Sequence, residues 1–276
     1  ATPDNHKETY IDGKHPPTSS LELVSRGGEV KFYLNIPKKR YKDMWEAQLY
    51  AHYPGIEIRE LEVDYTAEIV WNPKKWFIFS FHMGLKKPDA YPIKTYLDFG
   101  MDKLPKEEEK IDPINTTLEA LASIAPHEHL WIQILIKANK EYGFKEGALT
   151  KQPDWKEAAR GEIQKIIEKA AKRVGVLPED IGRSVNQFLT EGERDTIKAI
   201  ERTLGKFAFD THIRWLYITP ADKVRIGDIA PRFLTTWFVY EDINRNGIGA
   251  KWRTDYDWPW WQDPHGHKRL HLKEAE

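Results

Sequence analysis

The clearest change of hydrophobic period in the chain falls between Ile111 and Asn139. Ile114, Leu118, Leu121 and Ile124 recur at helical spacing, with Asn115, Thr116, Glu119 and Ser123 on the other side, so the pattern predicts an amphipathic helix. Asp112 suits its N-cap, Pro113 its first helical position, and Pro126 stops it. From Leu130 the period becomes two. Leu130, Ile132, Ile134 and Ile136 share one face, and Trp131, Gln133, Leu135 and Lys137 the other, which predicts a strand buried on at least one side.

The segments before it complete a module. Val30, Phe32, Leu34 and Ile36 alternate with Lys31, Tyr33 and Asn35 until Pro37, as a strand does. Tyr41, Trp45, Leu49 and Tyr53, with Met44, form a helical stripe that Pro54 and Gly55 end. Ile56 to Tyr65 reads as a strand with a bulge or bend, because its apolar phase switches between Ile58 and Leu61. Trp76 to Met83 is apolar on both faces, as in a central strand covered on both sides, and Tyr91, Ile93, Thr95, Leu97 and Phe99 extend the same sheet. The order strand, helix, strand, strand, helix, strand predicts an α+β fold of the ferredoxin-like split βαβ kind (βαββαβ, antiparallel sheet). Right-handed crossovers would set the Val30 and Trp76 strands in its middle and both helices on one face. Residues 1–28, polar and carrying Pro16, Pro17, Gly27 and Gly28, read as an extended arm, so the module spans 29–139.

Residues 140–153 read as a linker, and Gly100–Lys110 as a charged loop. Asp154 with Glu157 makes a capping box ahead of a helix striped by Trp155, Ala159, Ile163, Ile166, Ala170 and Val174 and closed by Gly175. Thr190 with Glu193 opens another, carrying Ile197, Ile200 and Leu204 and closed by Gly205. Phe207 to Thr219 alternates as a strand, and Asp222 to Asp242 is helical in pattern with a break near Pro231. Residues 154–248 are therefore predicted to form a second, helix-rich α/β unit packed on the first, and 249–276 a Trp- and His-rich tail.

Composition narrows the chemistry. With 42 basic against 43 acidic residues the chain has no charge excess for a surface wholly devoted to nucleic acid or membrane, although a local basic patch is allowed. The absence of cysteine excludes disulfides, zinc–thiolate sites, iron–sulfur clusters and thiol nucleophiles. No apolar run reaches the roughly 18 to 20 residues of a membrane span. The first residue is Ala1, and the chain is expected to be cut from a longer polypeptide. No G-x-x-x-x-G-K-[ST], G-x-G-x-x-G or G-x-S-x-G motif occurs, so neither a P-loop nor a hydrolase elbow is predicted.

No residue is assigned a catalytic, cofactor-binding or metal role. Asp242, Asn244, Asn246 and Gly247 match the opening of a calcium loop, but the twelfth position is Arg253, a cation where a bidentate glutamate is needed, so an Asn-rich turn is the expectation. His265, His267 and His271 lie close enough in the tail to bind a divalent metal but lack an acidic partner at a recognisable spacing, so a frayed terminus is the expectation, and a surface turn explains His127, Glu128 and His129 as well as a metal does. The run Glu107-Glu108-Glu109 reads as a solvated loop. Lys38, Lys39 and Arg40, or His212 and Arg214, could contact phosphates if the chain binds nucleic acid. The aromatic cluster from Trp252 to Trp261 suits core or interface packing, with a carbohydrate-binding or enzymatic platform as the alternative.

The segments FYLNIPKK, EAQLYAHYPGIEIRELEVDY, YPIKTYLDF, IDPINTTLEALASIAPHEHLWIQILIKAN, TEGERDTIKAIERTLGKFAFDTHIRWLYITP and INRNG, in this order, resemble an uncharacterised domain of coupling-protein-like ATPases of type IV secretion, of the conjugative, HerA-like kind, from candidate-phylum bacteria. The resemblance covers most of residues 30–248. It implies a region between N-terminal membrane segments and a RecA-like motor, the motor itself lying on the parent chain. It further implies a non-catalytic module for assembly or substrate recruitment, placed in the cytoplasm at the inner face of the membrane through the parent protein. Its partners would be further copies or other secretion-machinery subunits. The Trp-rich end and the histidine tail depart from the pattern.

Overall fold

Two adjacent glycines start the fold. Gly27 and Gly28 both take positive φ, 55° and 91°, the pair of left-handed conformations that a two-residue type I′ hairpin needs. The computed structural model describes residues 17–37, 39–102, 112–139, 155–175 and 188–253. Its strands are β1 (Thr18–Arg26), β2 (Glu29–Asn35), β3 (Trp76–Leu85), β4 (His129–Ala138), β5 (Phe209–Pro220) and β6 (Ile248–Arg253). They form a six-stranded sheet in the order β2-β1-β4-β5-β3-β6, every pair antiparallel. The helices are α1 (Lys42–His52), α2 (Ile114–Ala122), α3 (Trp155–Val174), α4 (Glu191–Leu204) and α5 (Ile226–Thr236).

The α+β class holds, but the expected ferredoxin-like order does not describe this sheet. The Val30 strand is β2, at the edge, and the Trp76 strand pairs with β5 and β6. Residues 56–64 form no strand: they carry Glu57, Arg59, Glu60 and Glu62 and lie almost wholly exposed, so no face of theirs is shielded. The segment 91–99 is turn and irregular structure, with Thr95 and Asp98 closing a local turn through the Thr95 amide at 2.7 Å. Part of the expected arm is strand β1, flanked by β2 and β4. Its alternation is hard to see because Ser20 and Glu22, on one face, are buried polar groups. The expected boundary between 29–139 and 154–248 is not a boundary of the sheet, since β5 lies between β4 and β3. The linker, most of the charged loop and the tail from 254 onward lie outside the described residues.

Each face of the sheet has its own core. On the helical face Phe79, Phe81, Leu130, Ile132, Trp215 and Tyr217 pack against Leu121 and Ile124 and against Ile229 and Phe233 of α5. Asp112 caps α2 as expected, its carboxylate accepting from the Ile114 amide at 3.0 Å. Pro231 does not break α5; the carbonyl it leaves unpaired, that of Gly227, sits in an exposed first turn. On the second face Val24, Ile78, Trp131, Leu216 and Ile218 are covered by Tyr65, Ile69 and Trp71. A third cluster joins Ala170 and Ala171 of α3 to Phe188, Leu189 and Ile197. There the Thr190–Glu193 capping box forms as predicted, and Arg173 grips Glu193 at 2.7 and 3.0 Å. That guanidinium, then the cap, holds the Glu193 carboxyl down at about 2.

The hairpin is seated on the turn after α2. The Ser25 hydroxyl donates to the Leu121 carbonyl at 2.6 Å and the Gly27 amide to that of Glu128 at 2.9 Å. A Cβ on Gly28 would come within 2.6 Å of the Ala122 carbonyl oxygen, whereas Gly55, also at φ 91°, has nothing within 4 Å. Gly28→Ala is therefore expected to lower unfolding free energy by about 2–4 kcal/mol and Gly55→Ala by about 1, strain adding to collision only at the first. Urea titration of both variants measures the difference.

Candidate functional site

A row of polar residues crosses the second face from edge to edge. Tyr33, Glu22, Gln133, Arg214 and His82 stand opposite one another on β2, β1, β4, β5 and β3 in turn, and the backbone of Trp252 on β6 ends the register. Glu22, buried, accepts from the Ser20 and Tyr65 hydroxyls and from Gln133 Nε2 at 3.3 Å. Gln133 also donates to the Tyr65 oxygen at 2.6 Å and accepts from Arg214 Nε at 2.6 Å, so the cation on β5 reaches the carboxylate on β1 through one amide. Burial and the Glu22 carboxylate push the Tyr65 hydroxyl up, keeping it a donor. Its ring stacks on Tyr33 at 4.8 Å and meets Trp131 edge-on at 5.0 Å. Beyond Arg214 the row opens out: the His82 and His212 rings meet edge-on at 4.6 Å, and His212 is exposed.

Glu128 has another task. Its side chain is fully buried just before β4. It accepts from Arg225 at 2.7 and 3.0 Å, from the Tyr217 hydroxyl at 2.7 Å and from the Ala125 amide at 2.7 Å. Burial alone would raise this carboxyl, but Arg225 and the other donors outweigh it and hold it below the usual range. Burial, then the Glu128 carboxylate, pushes the Tyr217 hydroxyl up to about 12. Neighbouring His129 points to the second face and meets the Trp76 ring edge-on at 6.1 Å, burial lowering its pKa. Glu128 and His129 thus turn to opposite faces of the sheet, and Glu128 is a clamp rather than part of a surface turn.

The calcium-like sequence builds an internal joint. Asp242 accepts from the Asn244 and Arg245 amides at 2.9 and 3.2 Å and from the Arg245 guanidinium at 3.0 and 3.1 Å. Arg245 also pairs with Asp98 at 2.9 Å. Asn246, buried, turns away: its oxygen accepts from the Lys87 and Gly247 amides at 2.8 and 2.9 Å, and its nitrogen donates to the carbonyls of Lys87, Pro88 and Tyr91. The oxygens diverge and the loop's own guanidinium supplies the cation. Among the described residues no group of three or more His, Cys, Asp or Glu side chains could hold a metal ion.

What these joints leave outward is apolar. Helix α1 contains no buried residue. The stripe expected to lie on the sheet is only half-covered at Trp45 and Leu49 and open at Tyr53, while Met44 and Tyr50 are exposed. The helix is tied to the segment after it by Lys42, 2.5 Å from Glu60. That segment exposes Ile56, Leu61, Val63 and, at 78%, Val70. Residues 56–64, which follow it, form no strand that would cover it.

Of the residues considered for phosphate contact, Arg214 and His212 share the second face, and Lys39 is exposed at the start of a short 3-10 turn before α1. Lys38 and the Arg40 side chain lie outside the description, as do Trp258, Trp260, Trp261 and the tail histidines; Trp252 is placed by its backbone in β6. Glu22, Tyr65 and Gln133 were not found by sequence reasoning. The one local sign is at Glu22, which follows Ser20 at the two-residue spacing of a strand face. No helix among the described residues is long and apolar enough to cross a membrane.

Residues 6–240 match the family described as Domain of unknown function (DUF8128), and the chain belongs to that family. No curated protein and no solved structure matches it.

Removing Arg225 leaves a buried carboxylate without its cation. Arg225→Gln should destabilise the fold near neutral pH, by less than the loss of a wholly buried pair because the guanidinium is half exposed. The depressed Glu128 carboxyl contributes stability above its unfolded value and loses it as pH falls through the lower folded value, so the deficit of the variant should shrink toward acid. Denaturant curves at several pH values would show this, and a deficit independent of pH would remove Glu128 as its cause. Asn246→Ala should cost about 1–3 kcal/mol in the same assay, since the backbone groups of Lys87, Pro88 and Tyr91 lose the buried amide that pairs them.

Proposed function

We propose that this chain is a non-catalytic assembly or substrate-recruitment module of a membrane-tethered translocation ATPase of the type IV secretion and conjugation kind. The observation that carries the reading is α1, a helix with Trp45, Leu49, Met44 and Tyr50 and no buried residue, continued by an exposed apolar segment. Apolar surface grouped in this way is stabilised by a protein cover. The buried carboxylates Glu22 and Glu128 support the same reading, because internal donors occupy them both. The sequence resemblance supplies the context: a motor on the parent chain, and a position on the cytoplasmic side of the membrane.

A second reading has its own observation. His82, His212 and Arg214 lie together on the outer part of the second face, where phosphates of DNA or RNA could meet them. Light scattering of the purified chain at two salt concentrations, with and without a short labelled DNA, separates the two. Concentration-dependent self-association without DNA binding is the expected result. A salt-sensitive DNA complex formed by a monomer would replace the assembly reading with the nucleic-acid one.

A further inference from the structure

Strand β2 ends the sheet, and among the described residues no strand lies beyond it. Its free edge has a defined pattern. In a two-residue hairpin the residues flanking the turn form a hydrogen-bonded pair, and such pairs alternate along the ladder. With Arg26 opposite Glu29, the backbone groups of Glu29, Lys31, Tyr33 and Asn35 point to β1. Those of Val30, Phe32 and Leu34 point outward. The side chains of these three belong to the helical face, where Val30 packs on the core and Phe32 stands 68% exposed.

The outward residues are symmetric about Phe32. A second copy laid antiparallel with Phe32 on the two-fold axis sets Phe32 against Phe32, Val30 against Leu34 and Leu34 against Val30. Each pair exchanges two hydrogen bonds, about six in all. On the other face the same register sets Lys31 against Tyr33 and Glu29 against Asn35, so no like charges meet, and Lys31 is already paired with Glu29 at 2.9 Å. Any other two-fold register leaves Val30 or Leu34 facing residues beyond the strand. Edge strands are ordinarily blunted by bulges, proline or shortness. The opposite edge follows that rule, its pairing shifting register at His82 and Met83, whereas β2 pairs with β1 without interruption from Glu29 to Asn35.

We propose that β2 is a homotypic docking edge through which two copies of this chain join into one continuous sheet about Phe32. The proposal rests on the assembly reading and names its surface. The chain has no cysteine, so a single introduced thiol reports only on its own mate. Under mild oxidation Phe32→Cys should cross-link two chains, its mates being about 5.5 Å apart at Cα. Glu29→Cys should not, its mates lying about 20 Å apart along the strands. Phe32→Pro deletes one outward N–H and none of the β1–β2 donors, and Phe32→Lys sets two cations on the axis. Each should raise the dimer dissociation constant by about tenfold or more, read by sedimentation equilibrium, with circular dichroism confirming that at least one variant is folded. A dimer unchanged in the folded variant, or cross-linked at position 29 as fast as at 32, overturns the edge and leaves the assembly reading standing; loss of that dimer in Met44→Lys with Tyr50→Lys would move the interface to α1. A chain monomeric at every concentration reached overturns both.

Discussion

The structure depends on β5 being paired on both edges. Without it β2, β1 and β4 make one ribbon and β3 with β6 another, and neither isolated ribbon closes the core over α2 and α5. Its segment Trp215 to Thr219 is buried throughout, with Trp215 at 0% exposure. The Glu128 clamp acts at this junction, because one carboxylate, just before β4, is held to Tyr217 of β5 and to Arg225 at the entrance of α5. Two long-range pairings and one ion pair on a buried carboxylate therefore position both faces.

The polar row gives the second face a different character from the first. The helical face is filled by aromatic and branched side chains, whereas the second face places a carboxylate, an amide, a phenol and a guanidinium in linked hydrogen bonds across three adjacent strands. Such groups raise the cost of a wrong register. A one-residue slip of β1 would carry Glu22 onto the helical face among Leu130, Ile132 and Trp215, away from the Tyr65 and Gln133 donors that satisfy it. The row specifies which strands meet and at which residue.

The surface follows from what the core does not use. Helix α1 and the segment behind it keep their apolar residues outside, and β2 keeps its backbone groups and Phe32 outside. Both features lie between Glu29 and Val70, a stretch that also contributes Tyr65 and Ile69 to the cover of the second face. Further exposed apolar side chains, Phe207 and Ile243 among them, lie outside this stretch, but it alone combines them with a regular sheet edge.

Local pattern made much of this legible: the Asp112-capped α2, the alternating β4, the capping box of α4, the helix closed at Gly175, and the strands at β2, β3 and β5. Each is set by neighbours within a turn or a pleat, so periodicity and caps suffice to reveal it. The strand β1, the sheet order, the missing strand at 56–65, the exposed α1 and the roles of Glu22, Glu128 and Asn246 were settled by tertiary structure. Periodicity tells which side chains are shielded but not what shields them, and a polar residue reads as exposed until a distant donor accounts for its burial. Glu22 is satisfied by Tyr65 and Gln133, Glu128 by Tyr217 and Arg225, and Asn246 by the loop at Lys87. In each case the partner lies far along the chain, where no local pattern can point to it.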